Sequence, residues 1–277
     1  MTATGSRDAG RGSPSSRPAL AEARRAAIVT ILRDQGSVSV TEVEERFGVS
    51  SMTARRDLGE LERSGVARRT HGGAVLPAFA AREDSFAHRL TVDAQAKSGL
   101  ADAALSLVSP RQTVFLDSSS TTYYLARRIA DSEMDVTVIT NSVPVMEALS
   151  GSGAFPGTVV GIGGTLRQLT RSFVGPYAVR AIFGHYADML FFSVKGVTPG
   201  GVLTDADMLE AEVKRAMIAQ AARSVLLIDR TKLSVRGQNA IVPAREISSV
   251  LTHGVQPLEL APLQPPGVSV RMVDRAD

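Results

Sequence analysis

Residues 49–74 read VSSMTARRDLGELERSGVARRTHGGA, and this stretch decides the fold of the N-terminal part of the chain. Ser50 is a good N-cap, able to accept a bond from a first-turn N–H that has no partner inside the helix. At 100° per residue Ala54, Leu58 and Leu61 fall within about 60° of one another and form an apolar stripe. Met52, Arg55, Arg56 and Gly59 lie on the opposite face. Two adjacent arginines beside a residue without a side chain suit close approach to a phosphate-lined groove. A solvated amphipathic helix is the alternative, because Asp57, Glu60 and Glu62 offset most of the arginines. After Ser64-Gly65, Val66 to Arg69 and Gly72 to Val75 are expected to pair as two short strands, with Arg68, Arg69 and His71 near the tip.

The residues upstream favour a nucleic-acid role. Thr41 to Phe47 reads as a second short helix, with Thr41 as cap and Glu44 three residues on, the capping-box spacing. Gly48-Val49 is a tight link, so the two helices form a helix-turn-helix. Ala21 to Gln35 supplies a supporting helix with Ala27, Ile28, Ile31 and Leu32 on one side. Three helices and a hairpin make a winged helix-turn-helix. The candidate DNA-contacting residues are Ser50, Ser51, Met52, Thr53, Arg55, Arg56, Arg68, Arg69 and His71.

This run resembles the signature of DeoR-type bacterial regulators, roughly V-S-x-x-T-x-R-R-D-L, then L-x-x-x-G, then R-x-H-G-G-A. Val49, Ser50, Thr53, Arg55, Arg56, Asp57, Leu58, Leu61, Gly65, Arg69, His71, Gly72 and Gly73 match it. Ala54 departs from the pattern, standing where isoleucine is usual, on the packed side of the helix.

The chain has 277 residues, enough for one small and one ordinary domain, and a net charge of only +3. Residues 1–76 hold 12 Lys+Arg against 9 Asp+Glu, and the remainder holds 19 of each. The whole excess therefore sits with the helix-turn-helix, as a DNA-binding module requires. There are no cysteines, which excludes disulfides, cysteine nucleophiles and thiolate metal sites and fits a reducing cytoplasm. No run of eighteen apolar residues suggests a membrane span, and the N-terminus lacks the apolar core of a secretory signal. A cytoplasmic location is expected, with no metal and no cofactor.

Residues 1–18 are rich in Gly, Ser, Pro and Arg and read as a disordered tail. Residues 19–76 are the expected DNA-binding domain, 77–91 a linker without helix or strand pattern through Arg89, and 92–277 an α/β domain. In that last part strands and helices alternate. Expected strands are Thr113 to Leu116, Val136 to Thr140, Thr158 to Ile162, Met189 to Ser193, Val225 to Ile228 and Ser249 to Thr252, with Val268 to Val273 a weaker one. Expected helices are Ala94 to Val108, Tyr123 to Ala130, Val143 to Leu149, Tyr177 to Phe183 and Leu209 to Ala222. Such alternation implies a mainly parallel sheet covered by helices.

Ligands of open α/β sheets bind beyond the carboxyl ends of the strands. There the first strand runs into Asp117-Ser118-Ser119-Ser120-Thr121-Thr122, five consecutive hydroxyls at a helix N-terminus, which is favourable chemistry for a phosphate. Gly163-Gly164 follows another strand, either to admit a ligand or as a plain turn. Lys195 and Lys232 also follow strand ends, as anion partners or as surface charges. Asp205, Asp207, Glu210 and Glu212 surround the start of a long helix. Helix-dipole compensation and an ordinary Glu210–Lys214 i,i+4 pair account for that cluster without a ligand.

The resemblance extends here. The DeoR-type effector domain is similar in fold to ribose-5-phosphate isomerase and glucosamine-phosphate deaminase. Its marks appear as Asp117 to Thr122, Thr140-Asn141-Ser142, Gly163-Gly164, Glu212-Val213-Lys214-Arg215-Ala216-Met217 and Asp229 to Lys232, so the resemblance spans about residues 20 to 253. It implies a regulator, most simply a repressor, of a carbohydrate-use operon that answers to a phosphorylated sugar. The effector-binding residues would be Asp117, Ser118, Ser119, Ser120, Thr121, Thr122, Gly163, Gly164, Lys195, Asp205, Glu212 and Lys232. The expected partners are operator double-stranded DNA, the sugar phosphate and further copies of the chain, as dimer or tetramer, because a two-fold dimer suits a palindromic operator. Two alternatives stand: a sugar-phosphate isomerase or deaminase with an appended DNA module, its base drawn from Asp205, Asp207 or Glu212, and a regulator whose second domain only mediates assembly.

Overall fold

The computed structural model describes residues 16–35, 37–70, 72–75, 84–151, 153, 155–233 and 235–273. The chain divides into two compact units between Glu83 and Asp84.

The first unit holds α1 (Ser16–Gln35), β1 (Ser37–Ser39), α2 (Val40–Phe47), α3 (Ser51–Arg63), β2 (Arg68–Thr70) and β3 (Gly73–Val75). Ile28, Ile31 and Leu32 of α1 pack against Val43, Ala54, Leu58 and Leu61 in one small core. The stripe deduced for α3 is thus its buried face. The cap of α2 is corrected: Ser39, not Thr41, accepts from the Glu42 N–H and closes a capping box with Glu42. Ser39 wins because β1 delivers the chain to it in extended geometry, and Thr41 falls inside the first turn. Gly48, at φ 61°, takes the left-handed conformation that ends α2 and lets the chain re-enter α3 within two residues. The wing has three strands rather than two, in the order β1-β3-β2, all antiparallel. Gly73 is needed where β1 and β3 meet, since a Cβ there would lie 2.1 Å from the Val38 carbonyl oxygen. Residues 1–15 of the expected tail lie outside the described residues, and Ser16 to Pro18 belong to α1.

The second unit opens with α4 (Phe86–Thr91), so the stretch expected to lack a pattern through Arg89 is helical from Phe86 onward. Ser85 caps it, and Phe86 is buried against the Tyr123 ring at 5.6 Å. Then follow α5 (Ala94–Leu105), β4 (Thr113–Leu116), α6 (Ser120–Asp131), β5 (Thr137–Thr140), α7 (Val143–Gly151), β6 (Thr158–Gly161), β7 (Thr165–Arg167), β8 (Ser172–Val174) and α8 (Pro176–Phe183). The chain continues through β9 (Ala187–Phe192), β10 (Gly196–Val197), β11 (Val202–Asp205), α9 (Met208–Gln220), β12 (Ala221–Asp229), β13 (Asn239–Pro243), β14 (Ser249–His253) and β15 (Ser269–Val273).

Seven strands form one sheet in the order β15-β14-β12-β9-β4-β5-β6, every neighbouring pair parallel. Alternation sorts the side chains. Phe115, Leu190, Phe192, Leu226 and Ile228 meet α8 and α9 on one face. Val114, Leu116, Phe191, Val225 and Leu227 meet α5, α6 and α7 on the other. The weak expectation for residues 268–273 is an edge strand, β15. The helix expected to end at Ala222 stops at Gln220, because Ala221 already begins β12 beside Ala187. Two small additions have no counterpart in the sequence reading: the β7–β8 hairpin and the antiparallel sheet β10-β11-β13. From β4 the strand order runs outward through β5 and β6, then returns to β9 on the other side of β4. The switch point of the sheet is therefore the crevice between the carboxyl ends of β4 and β9.

Candidate functional site

Two surfaces carry the candidate residues. On α3, Ser50 accepts from the Thr53 N–H at 3.4 Å. Met52 is 82% exposed, and Arg55 and Arg56 project into solvent from the same side. Ser51 and Thr53 are half-buried in the first turn. Asp57, counted with the solvated charges in the sequence, is buried instead. It accepts from Arg24 Nε at 2.6 Å and lies 3.7 Å from Arg25 Nη1, which ties α3 to α1 from behind. Arg69 is also corrected. Its Nη1 donates to the Arg55 carbonyl at 2.9 Å and its N–H to Glu62 Oε1 at 2.9 Å, so it braces the wing on α3 rather than reaching outward. A Cβ at Gly59 would stand 3.9 Å from Arg69 Nη1, an ordinary contact, so the brace does not require the glycine. Arg68 lies in β2, and His71 lies outside the described residues.

In the second unit the switch point is built around Asp117. Its Oδ1 accepts from the Ser119 N–H at 3.0 Å and the Thr122 hydroxyl at 2.8 Å. Its Oδ2 accepts from the Ser193 N–H at 3.2 Å and pairs with Lys214 Nζ at 3.1 Å. One carboxylate thereby fastens the loop after β4 to the loop after β9 and to α9. Ser119 caps α6 by accepting from the Thr122 N–H at 3.2 Å. Ser118 donates to Glu210 Oε2 at 2.8 Å. Three of the five hydroxyls are thus structural. Those of Ser120 and Thr121, buried in the first turn of α6, find no protein partner among the described residues.

The acidic cluster is corrected from a helix-end decoration to the ionic centre of the unit. Glu210 and Lys214 are 2% and 4% exposed. Lys214 Nζ sits 3.2 Å from Asp205 Oδ2 as well as beside Asp117. Burial works against the Lys214 charge, but Asp117, Asp205 and Glu210 outweigh it and hold its pKa above the ordinary lysine value. Burial likewise opposes ionised Glu210, and Lys214 with the Ser172, Ser118 and Thr170 hydroxyls reverses that, leaving its pKa below the usual carboxylate value. Ser172 donates to Glu210 Oε1 at 2.5 Å, and Arg167 Nε lies 3.3 Å from Asp207 Oδ2, so the β7–β8 hairpin is attached to the same cluster. Glu212 is corrected too. Two positions from Glu210 on a helix, it points away and lines a groove between α8 and α9. Gly164 is explained by packing, since a Cβ there would meet the Val174 carbonyl oxygen at 2.7 Å, whereas Gly163 has open space around it.

A group of cations gathers near Asp229, at the carboxyl end of β12. Lys232 ends a single 3-10 turn that Asp229, at the carboxyl end of β12, caps through the Thr231 N–H. Burial lowers its pKa, Asp229 and Asp93 oppose this, and Lys195 and Arg89 push it down further. Lys97, on α5, was missed in the sequence. It is 3% exposed and donates to the Arg89 and Val92 carbonyls. Burial, with Lys232 and Arg89 nearby, lowers its pKa to about 8 against the pull of Asp229 and Asp93. Arg89, also missed, has buried Nε and Nη2 atoms with no hydrogen-bond partner among the described residues. Helical position alone gave no signal for either. The structure thus joins the Asp117 to Thr122 loop to Asp205 through Lys214 and Glu210, sets Lys195 near Lys232 in a second group, and leaves Glu212 apart.

The DeoR-like helix-turn-helix domain matches residues 24–78, and the DeoR C terminal sensor domain matches residues 92–253. The chain belongs to the DeoR family. A DeoR-family relative, the putative aga operon transcriptional repressor of Escherichia coli O157:H7, is 31% identical over 253 residues, covering 90% of this chain and 93% of its own. The L-fucose operon activator of Escherichia coli K12 is 31% identical over 232 residues, covering 83% and 94%. Among solved structures, ribose 5-phosphate isomerase A from Methanocaldococcus jannaschii is similar over 50% of this chain and 54% of that one, at 16% identity and a TM-score of 0.37. Among the described residues of this DeoR-family chain no helix is long and apolar enough to cross a membrane.

Proposed function

We propose that this DeoR-family regulator binds operator DNA through α3 and represses a carbohydrate-use operon until a phosphorylated sugar occupies the switch point of its sensor. The observation that carries the sensor half is the pair of unengaged hydroxyls, Ser120 and Thr121, buried in the first turn of α6 at the switch point. Hydroxyls and first-turn N–H groups at one helix N-terminus form an anion site, and the cations grouped around Lys232 would add to it. Residues 19–76 would bind DNA, 77–91 connect, and 92–277 sense the effector. Relatives named for the aga and L-fucose operons support the carbohydrate setting. The expected setting is the cytoplasm, with two or four copies acting together.

The isomerase or deaminase alternative needs a free carboxylate base beside the substrate carbon. Asp205 is held by Lys214, Asp207 by Arg167 and the first N–H groups of α9, and Glu212 points into the α8–α9 groove, which favours a binding site without turnover. An effector releases DNA only if it binds the DNA-incompetent arrangement more tightly. Isothermal titration of the full chain with a panel of sugar phosphates, with and without operator, tests this. A coupling of about 5- to 150-fold is expected, reciprocal for the two ligands. Equal affinities in the two titrations would remove the proposed control.

A further inference from the structure

The turn of the β7–β8 hairpin touches two other parts of the sensor. With the hydroxyl loop it shares one carboxylate: Glu210 Oε2 accepts from Ser118 at 2.8 Å, and Glu210 Oε1 accepts from Ser172 at 2.5 Å. On α4 it holds the first residue, since the Leu169 carbonyl accepts from the Phe86 N–H at 2.8 Å. Between these contacts the hairpin is fixed. Asn141 binds it twice, its carbonyl accepting from the Phe173 N–H at 2.8 Å and its Nδ2 donating to the Phe173 carbonyl at 2.9 Å. Arg171 takes the left-handed conformation at φ 53°, which a non-glycine residue keeps only where its surroundings fix it. Here they do: its carbonyl accepts from the Val143 N–H at 2.9 Å, and its Nη2 pairs with Glu147 at 2.7 Å. The hydroxyl loop also reaches α4 from α6, where Tyr123 meets the Phe86 ring edge-on and the Tyr124 hydroxyl donates to the Leu90 carbonyl at 3.0 Å.

We infer that the β7–β8 hairpin is a strap that carries the occupancy of the effector site to α4, the element by which the chain enters the sensor from the DNA-binding unit. The inference rests on the proposed effector site and supplies its regulation. The Ser118 hydroxyl has a single proton. It can serve Glu210 or an anion at the adjoining first turn of α6, but not both. An anion that takes it leaves Glu210 to the hairpin's donors and the Lys214 charge. Glu210 is 2% exposed, so water does not make up the lost donor. The carboxylate then settles on the hairpin, and the fixed turn passes that shift to the Leu169 carbonyl. The strap bonded to Phe86 and the strap released from it are the two arrangements that such coupling requires.

Two variants of the full chain isolate the bond. Phe86→Ala removes the ring and keeps the N–H, and Phe86→Pro removes both. Proline suits the first helical position, and Ser85 before it is already extended at φ −60°, ψ 156°. Hydrogen exchange of the ligand-free chain is the first readout. The α4 amides should exchange at least about tenfold faster in Phe86→Pro than in Phe86→Ala, although proline at that position favours the helix itself. Ser172→Ala, at the other end of the strap, should speed the same amides relative to the wild type. Unchanged exchange in β14 shows that the sensor has not unfolded as a whole. Isothermal titration with pentose and hexose monophosphates, with and without operator, is the second readout. The wild type should show the coupling of about 5- to 150-fold, and Phe86→Pro less than about twofold. Each ligand alone should bind Phe86→Pro within about threefold of Phe86→Ala. Unchanged α4 exchange, or full coupling in Phe86→Pro, would overturn the strap. A wild type without coupling would refute the proposed control itself, and the role of the strap with it.

Discussion

Replacing Lys214 with methionine keeps the volume of a buried side chain and deletes its charge. Nζ lies 3.1 Å from Asp117 Oδ2 and 3.2 Å from Asp205 Oδ2. At an effective dielectric constant of about 20, each contact is worth about 5 kcal/mol before desolvation. Desolvation of the ions takes back several kcal/mol, so the pair network is a modest net stabiliser while intact. Its removal is costly because Asp117 and Asp205 stay buried without their cation, and Glu210 keeps only Arg167 Nη1 at 3.9 Å. Lys214→Met should therefore lose about 3–5 kcal/mol of sensor stability at pH 7. All four tyrosines lie between residues 123 and 186 and there is no tryptophan, so tyrosine fluorescence in urea follows the sensor unit alone. The variant's carboxylates should have folded-state pKa values above their unfolded ones. The folded form then takes up protons first as pH falls, and the deficit should narrow between pH 7 and pH 5. The double variant Asp205→Asn/Lys214→Met should lose less than the two single losses combined, by about 1–3 kcal/mol. A loss below about 1 kcal/mol for Lys214→Met at every pH would refute the reasoning.

Arg55→Ala or Arg56→Ala should weaken operator binding by about 1–3 kcal/mol if the side chain reads a base edge, and a phosphate contact would instead lower the salt slope by about one. Full-strength binding by the folded double variant in a gel-shift titration would contradict the exposed-face assignment. Lys97 has a folded pKa of about 8, below its unfolded value, so the unfolded chain holds more protons above that pH and stability should rise as pH climbs from 8 toward 10. Affinity for a sugar phosphate should move the other way, falling above pH 8 by up to about tenfold per pH unit. Lys97→Met should flatten that fall, and an unchanged pH profile would take Lys97 out of the site.

The helix-turn-helix and the parallel sheet were legible because local patterns announced them: a stripe at helical period in α3, and short apolar runs bounded by turns in β4 and β9. Boundaries near competing caps were less so, as the choice between Ser39 and Thr41 depended on where β1 delivers the chain. The hydroxyl loop was visible as composition, but which hydroxyls are spent on the protein depended on Asp117. Glu210 and Lys214 look like any solvated i,i+4 pair, and only the approach of β4 and β11 turns them into a buried network. Arg89 and Lys97 could not be found, because helical position says nothing about which strand end a lysine will overhang. Arg69 is the opposite case: its basic tip position suggested DNA, and the carbonyl of Arg55 claims it.

The saturation of Asp117 has a consequence for how the sensor answers its ligand. Both oxygens are occupied by groups of the protein, so the hydroxyl loop is finished before any anion arrives and needs little ordering on binding. In the proposed reading, an arriving anion would instead relieve the crowding of like charges around Lys97, Lys232 and Arg89. Arg89 belongs to α4, and Lys97 holds the Arg89 and Val92 carbonyls around the end of that helix. In the proposed reading the quiet half of the site would grip the ligand, while Arg89 and Lys97 belong to the segment through which the chain enters the sensor.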